Sequence, residues 1–313
     1  MLIVKVSTPW SHINFNSRIS KLHPDKKYRF DFSDECHVCD FWIIWGGIRN
    51  KNERVSCPPQ NVIYLTDEVH VERNFNQAFL DQFAAVISCR NDLQHKKIIG
   101  THELNTWLID RDYDHLYRTN NLKKSKELSV VSSDHTWLPG HKLRFAFVNK
   151  LIGHFKDKID VYGRGFNPIQ DKYDALAPYK YSVAIENSVI PGYFTEKLTD
   201  CYLTLTMPIY YGCPDIKNYF DENSFLHIDP NDFKGSVSKI ESLMQKNTYD
   251  SVTELLTNEK KKYLEQYHIF NKLPELLALH FNTAGKKSNK IIKNESVFLQ
   301  GPVKKLIKQF FKK

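Results

Sequence analysis

The segment YSVAIENSVIPGYFTEKLTDCYLTLTMPIYYG, from Tyr181 to Gly212, contains two apolar runs separated by a polar loop. The runs YSVAI and MPIYY are continuous and apolar, which is typical of strands that are buried in a parallel sheet. A helix is predicted between them, because Thr195 is a favourable N-cap and acidic and basic residues follow it. This strand–helix–strand order forms a βαβ unit and predicts a doubly wound α/β fold.

The same alternation of strands and helices runs through both halves of the chain. The strands predicted in the first half are LIVKVS (Leu2–Ser7), DFWIIWGG (Asp40–Gly47), NVIYLTDE (Asn61–Glu68) and AAVISC (Ala84–Cys89). In the second half, strands are predicted at LSVVSS, IDVYG, YKYSVAIEN, MPIYYG and SFLHID, and a helix at PGHKLRFAFVNKLIGHF. The polar segment Tyr117–Glu127 between them has no apolar periodicity and is the predicted linker. Two doubly wound α/β domains are therefore expected.

Charge and cysteine content exclude several classes of protein. The net charge of +8 comes largely from the C-terminal end, so the body of the protein is closer to neutral and nucleic acid is not an expected partner. Cys36 and Cys39 form a CxxC pair, but no second pair lies at the spacing of a zinc ribbon. We therefore expect no structural metal, and free thiols in a cytoplasmic protein.

The loop between the two strands is a candidate ligand site. It carries Glu186, Asn187, Tyr193, Thr195, Glu196 and Lys197. Ligands of doubly wound sheets bind outside the carboxyl ends of the strands, and this loop follows such an end. The N-terminus of the helix after Thr195 suits a diphosphate, and Lys197 adds a positive charge. The alternative is an N-capped surface helix that binds nothing.

Two further sequence features bear on phosphate binding. Arg144 lies early in a predicted helix, where a forked cation can bind a diphosphate, although an exposed helix arginine is the alternative. Asp110 and Asp112, in IDRDYDH, have the spacing of a Mg²⁺ or Mn²⁺ diphosphate clamp, but their charged surroundings favour a solvated loop. Neither a Gly-x-Gly-x-x-Gly nor a Gly-Lys-Ser/Thr loop occurs, so NAD and P-loop nucleotides are not supported.

Taken together, these motifs resemble the bacterial α-1,3/1,4-fucosyltransferases of glycosyltransferase family 10. The resemblance is carried by YSVAIENS, GYFTEKLTDCY and MPIYYGCPDI, in the family's order and spacing. It is specific from LSVVSSD through FLHID and thin in the first domain, where it depends on VIYLTDE. It implies a GT-B fold, with two Rossmann-like doubly wound domains facing each other across a cleft. It also implies GDP-β-L-fucose as the donor and no required cofactor, with Mg²⁺ or Mn²⁺ at most stimulatory.

The resemblance also implies roles for particular residues. Arg144 and Lys197 would bind the diphosphate. The other donor-binding candidates are Glu186, Asn187, Tyr193, Thr195 and Glu196. The family's general base falls on Glu68 or on the adjacent Asp67, and the choice stays open because this chain continues with EVHVERN and lacks the Ser-Pro that often follows. Glu196 is a further catalytic candidate, since a carboxylate can stabilise a cationic transition state.

The predicted organisation follows from this resemblance. Residues 1–120 would bind the acceptor, residues 121–284 would bind the GDP-sugar, and residues 285–313 would form a basic tail. The expected reaction is inverting transfer of L-fucose to a GlcNAc-type hydroxyl of a glycan, with α-1,3 or α-1,4 linkage, in lipopolysaccharide or surface-glycan synthesis. The alternatives are a GT-B transferase of another GDP-sugar and a non-catalytic, basic, membrane-associated binding protein.

The final residues suggest a membrane contact. From Val303 to Lys313, apolar residues recur at the spacing of one helical face, and five lysines fill most of the remaining positions. Such a C-terminal amphipathic helix lies on anionic lipid surfaces, which predicts a peripheral location on the cytoplasmic side of the inner membrane. The alternative is a terminal helix that packs on the body of the protein.

Overall fold

A computed structural model describes residues 1–69 and 72–299 of the chain, and these form two compact units. Within the described ranges, the first unit comprises Met1–Ile19, His23–Leu104 and residues 273–299. The second comprises Ser20–Leu22 and Asn105–Lys272. The predicted boundaries 1–120, 121–284 and 285–313 therefore differ from the observed ones at both ends of the second unit.

The first boundary lies earlier than predicted because apolar residues before the polar segment are buried in the second unit. Trp107, Tyr113 and Leu116 all belong to the hydrophobic core of that unit. The segment Tyr117–Glu127 is thus a connection within the second unit, although its polarity suggested a link between domains. Polarity shows that a segment is exposed and does not show which unit its neighbours join.

The chain alternates strands and helices as the sequence predicts. The strands are β1 (Leu2–Ser7), β2 (Tyr28–Asp31), β3 (Phe41–Trp45), β4 (Asn52–Cys57), β5 (Val62–Leu65), β6 (Ala85–Ser88), β7 (Ile98–Gly100), β8 (Lys126–Val131), β9 (Ile159–Tyr162), β10 (Tyr179–Ile185), β11 (Met207–Tyr211), β12 (Leu226–His227) and β13 (Ser288–Lys293). The helices are α1 (Gln77–Leu80), α2 (Tyr113–Arg118), α3 (Pro139–Phe155), α4 (Glu196–Leu203), α5 (Phe233–Gln245), α6 (Tyr249–Lys262) and α7 (Ile269–His280).

The first unit is built on a six-stranded parallel sheet in the order β2-β1-β3-β5-β6-β7. Strand β3, with the sequence FWIIW, is buried along its whole length, as a central strand covered on both faces must be. On one face, the ring of Tyr64 packs against Phe79 and Phe83 at centroid distances of 5.2 and 5.0 Å. The four strands predicted in this half are confirmed.

A second, small sheet joins part of the predicted tail to the first unit. Strand β13 pairs antiparallel with β4 over six residues, from Ser288 opposite Cys57 to Lys293 opposite Asn52. The start of the predicted tail 285–313 is therefore a strand of the first unit. The predicted amphipathic helix Val303–Lys313 lies outside the described residues. Within the described ranges, no helix is long and apolar enough to span a bilayer.

The second unit is built on a five-stranded parallel sheet in the order β12-β11-β10-β8-β9. The predicted strands and both predicted helices are present, and α3 has the predicted bounds of Pro139 and Phe155. The central strand β10 pairs with β8 on one side and β11 on the other. All carboxyl ends of this sheet consequently lie at one edge, where the candidate site is built.

A tight turn after β9 depends on one glycine. Gly163 has a φ of +111°, and a Cβ built on it would lie 2.0 Å from the carbonyl oxygen of Ser132, which follows the neighbouring strand β8. By contrast, Gly153 lies in α3, where an added Cβ would meet nothing within 4 Å. Substitution by alanine is therefore expected to change stability in opposite directions at these two positions.

Gly163→Ala is expected to lower the free energy of unfolding by about 1–3 kcal/mol, since both its φ and its contact with Ser132 exclude a side chain. Gly153→Ala, the matched control, is expected to raise it by about 0.5–1 kcal/mol, because alanine is the better helix former. Urea denaturation of the two variants measures both effects. Equal stability of the two variants would contradict the strand-end geometry described here.

Candidate functional site

The candidate site lies at the carboxyl edge of the sheet in the second unit. Strands β8, β10 and β11 end there and are followed by Ser132, Glu186 and Gly212. Helices α3 and α4 begin in the connections that leave β8 and β10. The structure thus brings together the sequence-predicted loop around Glu186 and the predicted helix of Arg144.

Glu186 fixes the start of α4 by two hydrogen bonds. Its side chain is fully buried, and its two carboxylate oxygens accept from the backbone N–H and from the hydroxyl of Thr195, each at 2.8 Å. Gly212 permits this arrangement, since a Cβ there would lie 2.4 Å from Cγ of Glu186. Burial raises the pKa of Glu186, while the ammonium of Lys197, 3.5 Å away, opposes that rise. Glu186 therefore acts through Thr195 as a positioning residue.

Thr195 and Lys197 form the N-terminus of α4. Thr195 is the N-cap, as predicted, and its hydroxyl accepts from the backbone N–H of Lys197. The ammonium of Lys197 donates back to the same hydroxyl at 3.1 Å and to the carboxylate of Glu196 at 3.3 Å. Residues Leu198–Leu203 are all buried, so α4 is not the surface helix of the alternative interpretation. A cation is thus held over the positive end of a buried helix.

Glu196 is stabilised as a carboxylate. Although burial alone would raise the pKa of Glu196, the ammonium groups of Lys197 and Lys172 lower it to about 2. Lys172 also donates to the backbone carbonyl of Glu196 at 3.0 Å and to the buried carboxylate of Asp200 at 2.9 Å. Burial raises the pKa of Asp200 to about 6, against the effect of Lys172.

Sequence reasoning missed Lys172 and Asp200. Lys172 lies in a short helical turn far from the loop in sequence, and no local pattern connects it to Glu196. Asp200 gives a weak signal, because it is the one charged residue in the stretch Leu198–Leu203, which is otherwise neutral and mostly apolar. Both residues hold α4 in place at the candidate site.

Arg144 is the second cation at this edge. It is 7% exposed, which contradicts the exposed-arginine alternative. Its guanidinium donates to the side-chain oxygen of Asn187 and, at 3.2 Å, to the hydroxyl of Ser133. Gly140 lets the first turn of α3 approach this loop, since a Cβ there would lie 1.8 Å from the carbonyl oxygen of Asn187. Arg144 is close enough to Lys197 to oppose the upward shift in the pKa of that lysine, which is driven chiefly by Glu196.

Tyr193 lies in the loop that leads into α4. It is 3% exposed, and its backbone N–H donates to the carbonyl of Ile190. The preceding Gly192 has a φ of +71°, and its N–H donates to the carboxylate of Asp215 at 2.8 Å. These two hydrogen bonds hold Tyr193 beside the start of the helix.

The two candidate bases in the first unit have different environments. Asp67 accepts from the guanidinium of Arg73 at 2.8 and 3.1 Å, and Arg73 also donates to the carbonyl of Gly46. Burial raises the pKa of Glu68 well above its usual range, and the neighbouring carboxyls of Glu72 and Asp67 raise it further. Asp67 is thus committed to an ion pair, whereas Glu68 lies among carboxyl groups that, together with burial, disfavour its ionised form.

The predicted Asp-x-Asp segment has a structural role at Asp112. Its side chain accepts from the backbone N–H of His115 and caps α2. Among residues 1–69 and 72–299, no group of three His, Cys, Asp or Glu side chains is arranged to hold a metal ion. Cys36 and Cys39 are free thiols in this structure.

With the site in view, comparison with known proteins identifies the second unit. Residues 121–272 match the family model described as glycosyltransferase family 10 (fucosyltransferase), C-terminal region. The chain is 35% identical over 114 residues to an α-(1,3)-fucosyltransferase of Helicobacter pylori, a match that covers 35% of this chain and 24% of the relative. It is 33% identical over 190 residues to GDP-fucose protein O-fucosyltransferase 3 of Danio rerio, covering 56% of this chain and 38% of the relative.

The structural likeness agrees with these matches. A crystal structure of an α1,3-fucosyltransferase with GDP superposes with a TM-score of 0.50 at 18% identity, covering 86% of this chain and 92% of the other. An α-glucosyltransferase bound to UDP and DNA superposes with a TM-score of 0.51 at 8% identity, covering 89% and 100%. At such identities the likeness shows a shared fold, and the predicted GT-B class is confirmed.

Residues 121–272 of the chain accordingly match a glycosyltransferase family 10 domain, and the resemblance inferred from the motifs is confirmed. The chain spans only about a quarter to two fifths of the length of the two curated relatives described above. Their names differ in the acceptor, which is not specified in one case and is a protein in the other. These matches therefore leave the acceptor of this chain to be determined.

The depressed pKa of Glu196 predicts a pH dependence of stability. A carboxyl with a folded pKa of about 2, below its ordinary 4.5, contributes stability that is present above about pH 4.5 and is lost as the pH falls toward 2. The stability of the wild-type protein should therefore fall more steeply between pH 5 and pH 3 than that of Glu196→Gln. Urea denaturation across this range measures the difference, with the exposed Glu254→Gln as control. Parallel curves for wild type and Glu196→Gln would contradict the ion-paired state of Glu196.

Proposed function

We propose that this protein transfers L-fucose from GDP-β-L-fucose to a hydroxyl group of an acceptor. The proposal rests on two cations, Arg144 and Lys197. They lie in the N-terminal parts of α3 and α4, within the residues that match the family model. A diphosphate leaving group carries charge that such a pair can stabilise, together with the positive end of α4. Two cations held in this way replace the metal ion that other diphosphate sites use.

The donor-site residues are proposed to have two kinds of role: some contact the donor, and others hold the N-terminus of α4 in place. Arg144 and Lys197 bind the diphosphate, while Asn187, Tyr193 and Glu196 contact the nucleotide or the fucose. Thr195 and Glu186 hold the helix start through their hydrogen bonds. The ionised Glu196 is suited to a fucose hydroxyl or to the positive charge that develops on the sugar ring in the transition state.

The proposed base is Glu68. In its ionised form, Glu68 takes the proton of the acceptor hydroxyl as that oxygen attacks the anomeric carbon, and the bond from this carbon to the GDP oxygen breaks. Attack from the opposite face inverts the β-linked donor to an α-fucoside. Glu68 is preferred to Asp67, because both carboxylate oxygens of Asp67 already accept hydrogen bonds from Arg73.

The proposed acceptor is a GlcNAc-type hydroxyl of a surface glycan such as lipopolysaccharide, in α-1,3 or α-1,4 linkage. The α-(1,3)-fucosyltransferases among the relatives support it. A second candidate is a protein hydroxyl, favoured by the longer alignment with the Danio rerio protein O-fucosyltransferase. Both acceptors use the same donor site, so the tests of donor binding and of the base below apply to either.

Removing either cation should weaken GDP binding. Arg144→Ala and Lys197→Ala are each expected to raise the dissociation constant of GDP roughly 10- to 100-fold, since a charge-assisted contact contributes about 1.5–3 kcal/mol. Isothermal titration calorimetry measures the change. Lys217→Ala, which removes an exposed lysine of the same unit, is the control and should leave GDP affinity unchanged. Unchanged affinity in both site variants would refute the diphosphate assignment.

The base assignment predicts a separation of binding from catalysis. Glu68→Ala should retain wild-type affinity for GDP-fucose and lose roughly 100- to 10,000-fold in the transfer rate, the usual effect of removing a positioned base. Turnover and donor affinity are measured on the same preparation. If Asp67→Ala loses transfer while remaining folded and Glu68→Ala does not, the base is Asp67 instead.

A further inference from the structure

The first unit contains a cavity of about 160 Å³ that no step above uses. It lies at the carboxyl edge of the six-stranded sheet, where β1, β2 and β3 end, and residues after each of these strands line it. Pockets for drug-sized ligands begin at about 300 Å³, so this cavity has room for a single ring. The carboxyl edge is also the side on which open parallel sheets bind ligands.

The floor of the cavity is a fixed polar network. Lys5 is 2% exposed, and its ammonium donates to the carbonyl of Ser33 at 2.9 Å and lies 3.1 Å from the carboxylate of Glu53. The hydroxyl of Ser7 donates to Glu53 at 2.8 Å and accepts from the indole N–H of Trp42 at 2.9 Å. These groups are ordered before any ligand arrives, so binding costs little side-chain entropy.

The charges around the cavity are paired. Lys5 is paired with Glu53, and Arg49 is paired with Asp34 at 2.7 Å. Two cations are thus compensated by two carboxylates, and the lining presents hydrogen-bonding groups without a net charge. A phosphate or a sugar acid would lose its hydration without gaining a free counter-charge. A neutral ligand with many hydroxyls suits such a lining better.

An aromatic wall completes the cavity. The ring of Trp10 is half-buried and packs edge-on against Trp45 at a centroid distance of 5.1 Å. Phe15 stacks on Phe32 at 5.3 Å, and both rings belong to the lining. The face of an aromatic ring carries partial negative charge and attracts the C–H groups on one face of a pyranose. The lining thus combines polar groups with aromatic rings, the two kinds of group that bind the two surfaces of a sugar.

Trp10 also connects the cavity to the proposed base. A Cβ built on Gly46 would lie 2.9 Å from the outer edge of the Trp10 ring and 2.7 Å from the carboxylate of Asp67. The tip of the indole and Asp67 therefore flank the same glycine, and Glu68 is the next residue in the chain. A sugar held against Trp10 would therefore lie close to Asp67.

We propose that this cavity binds one uncharged pyranose of the acceptor and that Trp10 is the residue that selects it. The proposal rests on the proposed function for the identity of the acceptor, but the cavity itself can be tested without any donor. The paired charges of the lining exclude an acidic sugar at this position.

The first test is kinetic and uses the full chain. Trp10→Ala should raise the KM for an N-acetylglucosamine-terminated acceptor roughly ten-fold, while Trp10→Phe, which keeps an aromatic face, should largely retain the wild-type value. The KM for GDP-fucose, which the second unit is proposed to bind, should not change in either variant. Ile98→Ala is the control, because Ile98 lies on β7 at the opposite edge of the sheet. Equal acceptor KM values for Trp10→Ala and Ile98→Ala would overturn the proposal.

The second test addresses charge and does not depend on the folding of a core variant. Asp34→Asn removes a 69%-exposed carboxylate and leaves Arg49 uncompensated at the rim. This variant should gain at least several-fold in kcat/KM for a glucuronic-acid-terminated acceptor relative to the neutral one. An unchanged ratio would contradict the role of paired charges at this cavity.

The third test separates this inference from the proposed function. Saturation-transfer NMR with the methyl glycoside of N-acetylglucosamine requires no GDP and no turnover. Signal with the wild-type protein that is lost in Trp10→Ala and kept in Ile98→Ala supports the sugar site even if the donor proves to be different. Conversely, tight GDP-fucose binding and transfer without any Trp10-dependent glycoside signal would overturn the sugar site and leave the proposed function standing.

Discussion

The hydrogen bonds from Thr195 to the buried carboxylate of Glu186 are the contact on which the candidate site depends. Burying a carboxylate is costly, and here two hydrogen bonds of 2.8 Å and the ammonium of Lys197 offset that cost. The contact joins the end of a central strand to the first turn of α4. It therefore fixes the helix N-terminus relative to the sheet, and with it the cation that would meet the diphosphate.

The lysines at the site are likewise held in place by carboxylates. Each lysine is held by a carboxylate: Lys197 by Glu196, and Lys172 by Asp200. Each cation is thus placed before a ligand binds, which is the condition under which electrostatic stabilisation of a leaving group is most effective. The first unit follows the same logic, since Asp67 holds Arg73 and Glu53 holds Lys5.

The sequence predicted the features that depend on neighbouring residues in the chain and missed those that depend on tertiary contacts. Strands β3 and β10 were predictable because a buried parallel strand is apolar at every position. Strand β13, with the sequence SNKIIK, was missed because a lysine-rich edge strand has no such pattern. The N-cap Thr195 was predicted from its neighbours, whereas Lys172 reaches Glu196 only through tertiary packing. The family resemblance supplied the proposed role of Glu68, which no local pattern indicates.

The most direct test of the central claim is mass spectrometry of acceptors incubated with the full chain and a GDP-sugar. A neutral N-acetylglucosamine-containing glycan should gain one deoxyhexose when GDP-fucose is present and gain nothing when GDP-mannose replaces it. Nuclear magnetic resonance of the product should show an α-fucoside. A hexose gain with GDP-mannose, or no gain on any glycan or protein acceptor from a preparation that binds GDP-fucose, would contradict the account.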